Sequence, residues 1–130
     1  MTTLGHGTTR LQIGAHVRLD EGDIEMHEFE SCVPADLRWF EGHFNGNPVL
    51  PAVVQMREAL RLVASIWPDL ESLRRITRAK FQRPIRPSDL LQVSLTRVRG
   101  TNKAAFEFRR KGQMCSSGTL EFQRETDLQR

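Results

Sequence analysis

The stretch Phe40–Leu60, FEGHFNGNPVLPAVVQMREAL, decides how this chain is to be read. His43 stands between Gly42 and Phe44, a Gly/Asn/Pro turn follows, and an apolar run with helical spacing begins. From Val49 to Trp67 the apolar positions Val49, Val53, Met56, Leu60, Val63 and Trp67 recur at steps of three or four, the period of one helix face. Leu50, Val54, Ala59, Leu62 and Ile66 widen that stripe around most of the girth, which predicts a helix enclosed by other structure. Asn47 can cap it, Pro48 or Pro51 fits its first turn, and Pro68 stops it.

Working outward, both flanks have β patterning. In RLQIGAHVRL, residues Leu11, Ile13, Ala15, Val17 and Leu19 alternate with mostly polar neighbours, predicting a half-buried strand. A DEGD turn and IEMHEFESCV complete a candidate hairpin, with His16 and His27 on its faces in structural roles. After the helix, RRITRAKFQRPI, LLQVSLTRVR, KAAFEFRRK and MCSSGTLEFQR are strand candidates separated by RPSD, GTN and GQ turns. In the second of these, Leu91, Val93, Leu95 and Arg97 share a face. One long helix followed by an antiparallel meander predicts an α+β fold in which a curved sheet wraps around a central helix.

Length and composition bound the function. The 130 residues suit a single domain, 1–130, with 1–10 and 124–130 as loose ends. No apolar run reaches the roughly 18–20 residues that span a bilayer, and no signal-peptide core is present. The expectation is a cytoplasmic protein without membrane insertion. The net charge of +3 is spread among interleaved acids. No zinc-finger, helix-turn-helix or RNP-like pattern accompanies it, so a solvated basic face is expected rather than nucleic-acid binding. Cys32 and Cys115 form no CxxC pair and read as free buried thiols. His6, His16, His27 and His43 lack metal-ligand spacing, so no metal is expected.

HFNGNPVLPAVVQMREAL resembles the active-site segment of the hot dog fold 3-hydroxyacyl-[acyl carrier protein] dehydratases. That segment has a histidine, Phe-Pro-Gly-x-Pro, two apolar residues, Pro-Gly-Val and an acid near the helix middle. RAKFQRPIRPSDLLQVSL is similar to the family's F-x-R-P-V-x-P-G-D-x-L strand-turn-strand. Together the two matches cover Phe40–Leu95, and LPAVVQ looks like the branch associated with aryl polyene pathways. The resemblance implies a hot dog fold, a homodimer and a lyase without cofactor. Its substrates would be 3-hydroxyacyl thioesters of acyl carrier protein or coenzyme A, dehydrated to the 2-enoyl thioester in fatty acid, polyketide or polyene-type synthesis. It makes His43 the base, gives Ala52 the backbone N–H that holds the thioester oxygen, and places Phe44, Val53 and Gln55 around the substrate. A basic surface including Arg78, Lys80, Arg83 and Arg86 would receive an acidic carrier.

The departures fall on the chemistry. Fourteen residues after His43, where the family has Glu or Asp, this chain has Arg57, which stays protonated and exchanges no proton near neutrality. Glu58 is next in line as a substitute acid, but one helical step turns it by roughly 100°; otherwise it reads as an exposed helix acid. Ala52 replaces a glycine and Asn45 a proline. Two other functions stay open: a hot dog thioesterase, and a non-catalytic carrier-binding subunit paired with a catalytic paralogue as a heterodimer.

Overall fold

A computed structural model describes residues 9–40, 46 and 48–123. His43, Phe44, Asn45 and Asn47, and the chain ends apart from Thr9 and Arg10, lie outside the described residues. Six strands, β1 (Gln12–Glu21), β2 (Ile24–Cys32), β3 (Leu73–Phe81), β4 (Leu90–Val98), β5 (Lys103–Arg110) and β6 (Gln113–Phe122), flank one helix, α1 (Ala52–Ile66). They form one antiparallel sheet in the order β1-β2-β4-β5-β6-β3. The α+β architecture is the one expected.

The core is the inner sheet face packed on α1. Leu91, Val93 and Leu95 of β4, Phe106 and Phe108 of β5, and Leu120 and Phe122 of β6 meet Val54, Ala59, Leu62 and Val63. Arg97 continues the β4 series inward, only 7% exposed. Its guanidinium donates to both Asp69 carboxylate oxygens (3.1 and 2.7 Å) and to the Thr101 carbonyl, and sits 5.7 Å from the Trp67 ring centroid. A buried cation is tolerated because its donors are satisfied.

Three expectations need correction. First, the helix starts at Ala52, not Val49. Leu50 precedes Pro51, which disfavours helical backbone at Leu50, and its N–H instead donates to the Ile85 carbonyl at 2.7 Å. Pro51 is the N-cap rather than a first-turn residue. The helix is also not enclosed all round, because Val53 is 68% exposed and Arg57 and Ala64 share its side. Second, β3 ends at Phe81. Gln82 and Arg83 both donate to the Cys115 carbonyl (2.8 and 3.2 Å), and Pro84 has no N–H for a ladder.

Third, β1 is not half-buried: every residue of Gln12–Glu21 is exposed, and only Leu11, just before it, is buried. The register slips between Ile13↔Ser31 and His16↔Phe29, and one extra residue in a bulge reverses the alternation. Beyond it His16, Arg18 and Asp20 pair with the inward residues Phe29, His27 and Glu25, while Val17 and Leu19 turn outward. Of the cysteines, Cys115 is buried and Cys32 only partly so; both are free.

The bulge builds a polar cluster. His16 Nε2 and His27 Nδ1 lie 2.7 Å apart, and His16 stacks on Phe29. Trp67 Nε1–H donates to Glu25 at 3.0 Å. Burial holds the His27 pKa below its ordinary value, with the neighbouring His16 and Arg18 acting in the same direction and Glu25 opposing. The folded state therefore binds this proton less readily than the unfolded chain, so stability is expected to fall as pH drops below about 6.5. Urea unfolding across that range checks this, and His27→Gln should flatten the dependence there. An unchanged slope would assign the loss to other groups.

Candidate functional site

Two clefts on different sides of α1 hold the sequence-predicted residues that the structure describes. The first, about 390 Å³, lies at the helix start and is lined by Val49–Ala52, Gln55 and the Phe81–Pro84 segment. Among the described residues no side chain caps this helix end. Helix starts leave their first N–H groups without intrahelical partners, with a partial positive charge, so the Ala52 N–H is open to a negative or carbonyl oxygen. Gln55 is 4% exposed. Its Nε2 donates to the Leu50 carbonyl at 3.0 Å, while Oε1 is buried with no donor among the described residues. An acceptor left so costs about 1–3 kcal/mol.

The Phe81–Pro84 wall of this cleft runs into the RPIRPSD turn. Asp89 Oδ2 accepts from the Arg86 N–H (2.8 Å) and from Arg110 (2.9 Å), and Arg110 also donates to the Pro84 carbonyl. Ser88 adopts φ 68°, a left-handed backbone usually left to glycine. These contacts fix Pro84 and, through the Ile85 carbonyl, Leu50 and the helix entry.

The second recess, about 330 Å³, brings together Arg57 and Glu58 with Arg10, Arg38, Trp39 and Arg61. Glu58 is not an exposed helix acid; it is 2% exposed. Its Oε1 accepts the Leu11 N–H at 3.0 Å and is also held by the Arg61 guanidinium. Arg57 is exposed and sits 5.3 Å from the Trp39 ring centroid. Ala52 and Arg57 are five positions apart, roughly 140° around the helix and about 7.5 Å along it. The structure thus groups Ala52 with Gln55 and Arg57 with Glu58, and leaves Val53 pointing out of both clefts. A larger open recess of about 790 Å³, between Glu30, Asp89, Leu90 and Arg110, contains none of the predicted catalytic or substrate-binding residues and includes, of the predicted basic surface, Arg86.

Sequence reasoning passed over Trp39, Arg38 and Arg61. Trp39 shows a faint signal: it lies just before the histidine motif, on a 3-10 turn, Arg38–Phe40, that orients it toward α1. Leu11 as a partner of Glu58, 47 positions away, has no local signal.

A family model described as "ApeI-like: ApeI dehydratase" matches residues 19–119. The chain belongs to the ApeI-like dehydratase family. More distant relatives include the 3-hydroxyacyl-[acyl-carrier-protein] dehydratase FabZ of Caulobacter vibrioides, 29% identical over 87 residues, covering 60% of this chain and 54% of that protein. The Levilactobacillus brevis FabZ is 36% identical over 93 residues, covering 63% and 61%. The chain thus spans little more than half the length of these curated relatives. Among solved structures, the dehydratase heterocomplex ApeI:P from Xenorhabdus doucetiae has a chain matching at TM-score 0.76 and 22% identity, covering 89% of this chain and 100% of that one. An Erwinia carotovora protein matches at TM-score 0.78 and 24% identity, covering 89% and 98%. These likenesses show the hot dog fold for this ApeI-like chain. No helix among its described residues is long and apolar enough to cross a membrane.

Proposed function

We propose that this ApeI-like protein removes water from 3-hydroxyacyl thioesters of acyl carrier protein or coenzyme A, giving 2-enoyl thioesters. The observation that supports this best is the first cleft, which is lined by both Ala52, at an uncapped helix start, and Gln55, whose buried Oε1 has no donor among the described residues. A thioester oxygen on the Ala52 N–H gains most as negative charge builds on it during loss of the C2 proton. The Gln55 carbonyl accepts the substrate's C3 hydroxyl once a side-chain shift opens the buried Oε1 to the cleft. His43 takes the C2 proton, as in the family that the motif resembles.

The hydroxyl must leave as water, so it needs a proton. Arg57 does not supply one, and Glu58 is buried with its Oε1 accepting two donors. That proton therefore returns from His43 or comes from a second subunit. The exposed stripe of Val53, Arg57 and Ala64, with half-buried Leu60, gives a partner subunit a helix face to cover. In such a dimer, Arg57 of one subunit would meet substrate bound at the other, its charge orienting water or a carboxylate. The exposed Arg78, Lys80 and Arg83, with the partly buried Arg86, fit the approach of an acidic carrier.

The absence of a free acid at the Arg57 position favours a second reading, a carrier-binding subunit whose catalytic acid comes from a paralogue. A solved relative by fold is itself a heterocomplex. Thioester hydrolysis requires an activated water, and no carboxylate lines the first cleft among the described residues. Incubating the purified protein with a 3-hydroxyacyl carrier, while following both water loss by mass and thiol release, distinguishes the three. Dehydration should appear and fall about 100-fold or more in His43→Ala. Thiol release would establish the thioesterase instead. Binding without turnover, with dehydration appearing in Arg57→Glu, would establish the subunit.

A further inference from the structure

Among the described residues, the second recess carries more positive than negative charge. Lining it among the described residues are four arginines, Arg10, Arg38, Arg57 and Arg61, together with one carboxylate, Glu58. That carboxylate is engaged by Arg61 and the Leu11 N–H. No described acid pairs with Arg10, Arg38 or Arg57. The centre of the recess is Trp39, which packs against the core and donates its Nε1–H to the Thr9 carbonyl at 3.3 Å. The guanidinium carbons of Arg57 and Arg38 lie 5.3 and 5.9 Å from its ring centroid. Contact with the aromatic ring stabilises both cations and limits how far they can swing into solvent. Holding several uncompensated guanidiniums around one recess is unfavourable until an anion enters, and a concave, partly apolar wall concentrates their field.

We propose that this recess binds an oxyanion, a carboxylate or a phosphate carried on a small ligand, with Arg57 and Arg38 as principal donors and Arg10 completing the shell. Guanidinium forks match the paired oxygens of either group. The inference deepens the role given above to Arg57: the anion is either a carboxyl group on the acyl substrate or a phosphate on its carrier arm. An ApeI-like protein with this site would select ligands by charge at a position where an acidic residue would repel them.

Isothermal titration with inorganic phosphate and with succinate, at ionic strength held constant by chloride, tests the site without requiring turnover. Binding above the chloride control is expected, weakened at least tenfold by Arg57→Gln or Arg38→Gln. Arg57→Lys, which retains charge without the fork, should fall between. Arg109→Gln, on β5 and paired with Glu107, should leave binding unchanged. Stronger binding of phosphate assigns the carrier arm as the source, and stronger binding of succinate assigns the acyl group. Absence of binding by both anions, or an equal loss in Arg109→Gln, would overturn the proposal. Dehydration of an uncharged acyl substrate, followed in parallel, shows whether the reaction survives when the anion site does not.

Discussion

Glu58→Leu is expected to destabilise the fold by about 3 kcal/mol, whereas Glu58→Gln should cost only about 1 kcal/mol. The difference follows from what remains after each change. Glu58 is buried, and its Oε1 accepts the N–H of Leu11, itself a buried residue, from the segment leading into β1. Leucine fills the volume but orphans that N–H, which costs about 1–3 kcal/mol, and removes a charge-assisted bond of roughly twice ordinary strength. Arg61 contributes less, because its side chain is 36% exposed and regains water. Replacing a buried ion by an apolar residue is often neutral when both partners go; here the partner is main chain and stays. Glutamine keeps an acceptor oxygen in place. Urea midpoints of the three proteins measure the order, and a leucine variant as stable as the glutamine one would mean that the Leu11 bond contributes nothing. The same pair separates structure from chemistry. If Glu58 donates a proton to substrate, Glu58→Gln would lose turnover while remaining folded, contrary to the committed hydrogen bonds described above.

That behaviour bears on which parts of the molecule were legible in the sequence. The β4 series Leu91, Val93, Leu95 and Arg97 follows a period of two without interruption, so the shared face was readable in advance. The burial of the arginine depends on Asp69 and Trp67, which no local pattern supplies. The apolar set of β1 obeys the same rule as far as the bulge. A bulge of one residue is invisible to composition and reverses every side chain after it, which is why Val17 and Leu19 face outward. The helix body was legible from its period, but its start was decided by two competing effects of proline. Pro51 can occupy a helix's first turn, and it also disfavours helical backbone at Leu50; the Leu50–Ile85 hydrogen bond settles which wins. The grouping of Ala52 with Gln55 follows from three residues of helix. The pairing of Glu58 with Leu11, and the gathering of Arg10 and Arg38 beside Arg57, depend on how a distant segment crosses α1. No local pattern encodes that.

Gly118→Ala is expected to destabilise the protein by about 2 kcal/mol, although alanine is otherwise the milder residue in a strand. Gly118 pairs with Phe106 across β5 and β6, and its missing side chain is the space the ring occupies. A Cβ there would stand 2.7 Å from Phe106 Cε2 and 3.0 Å from Cζ, with Ala79 Cα at 3.5 Å behind it. The ring has little room to retreat, being 0% exposed and set edge-on to Phe108 with centroids 5.8 Å apart. Relief requires moving either the core or the β3 bulge, where the register shifts between Thr77 and Lys80 and Arg78 already holds φ 54°. Phe106→Leu, which vacates the contested volume at its own cost of about 1 kcal/mol, should make Gly118→Ala nearly neutral in the double variant. A coupling of at least about 1 kcal/mol between the two positions is the expected outcome of a double-mutant cycle, and strict additivity would refute the steric account. The consequence reaches the first cleft. β3 runs from that bulge directly into Phe81–Pro84, one wall of the space around Ala52 and Gln55. A ring forced toward β3 should therefore shift substrate binding in Gly118→Ala, and Phe106→Leu should restore it together with stability.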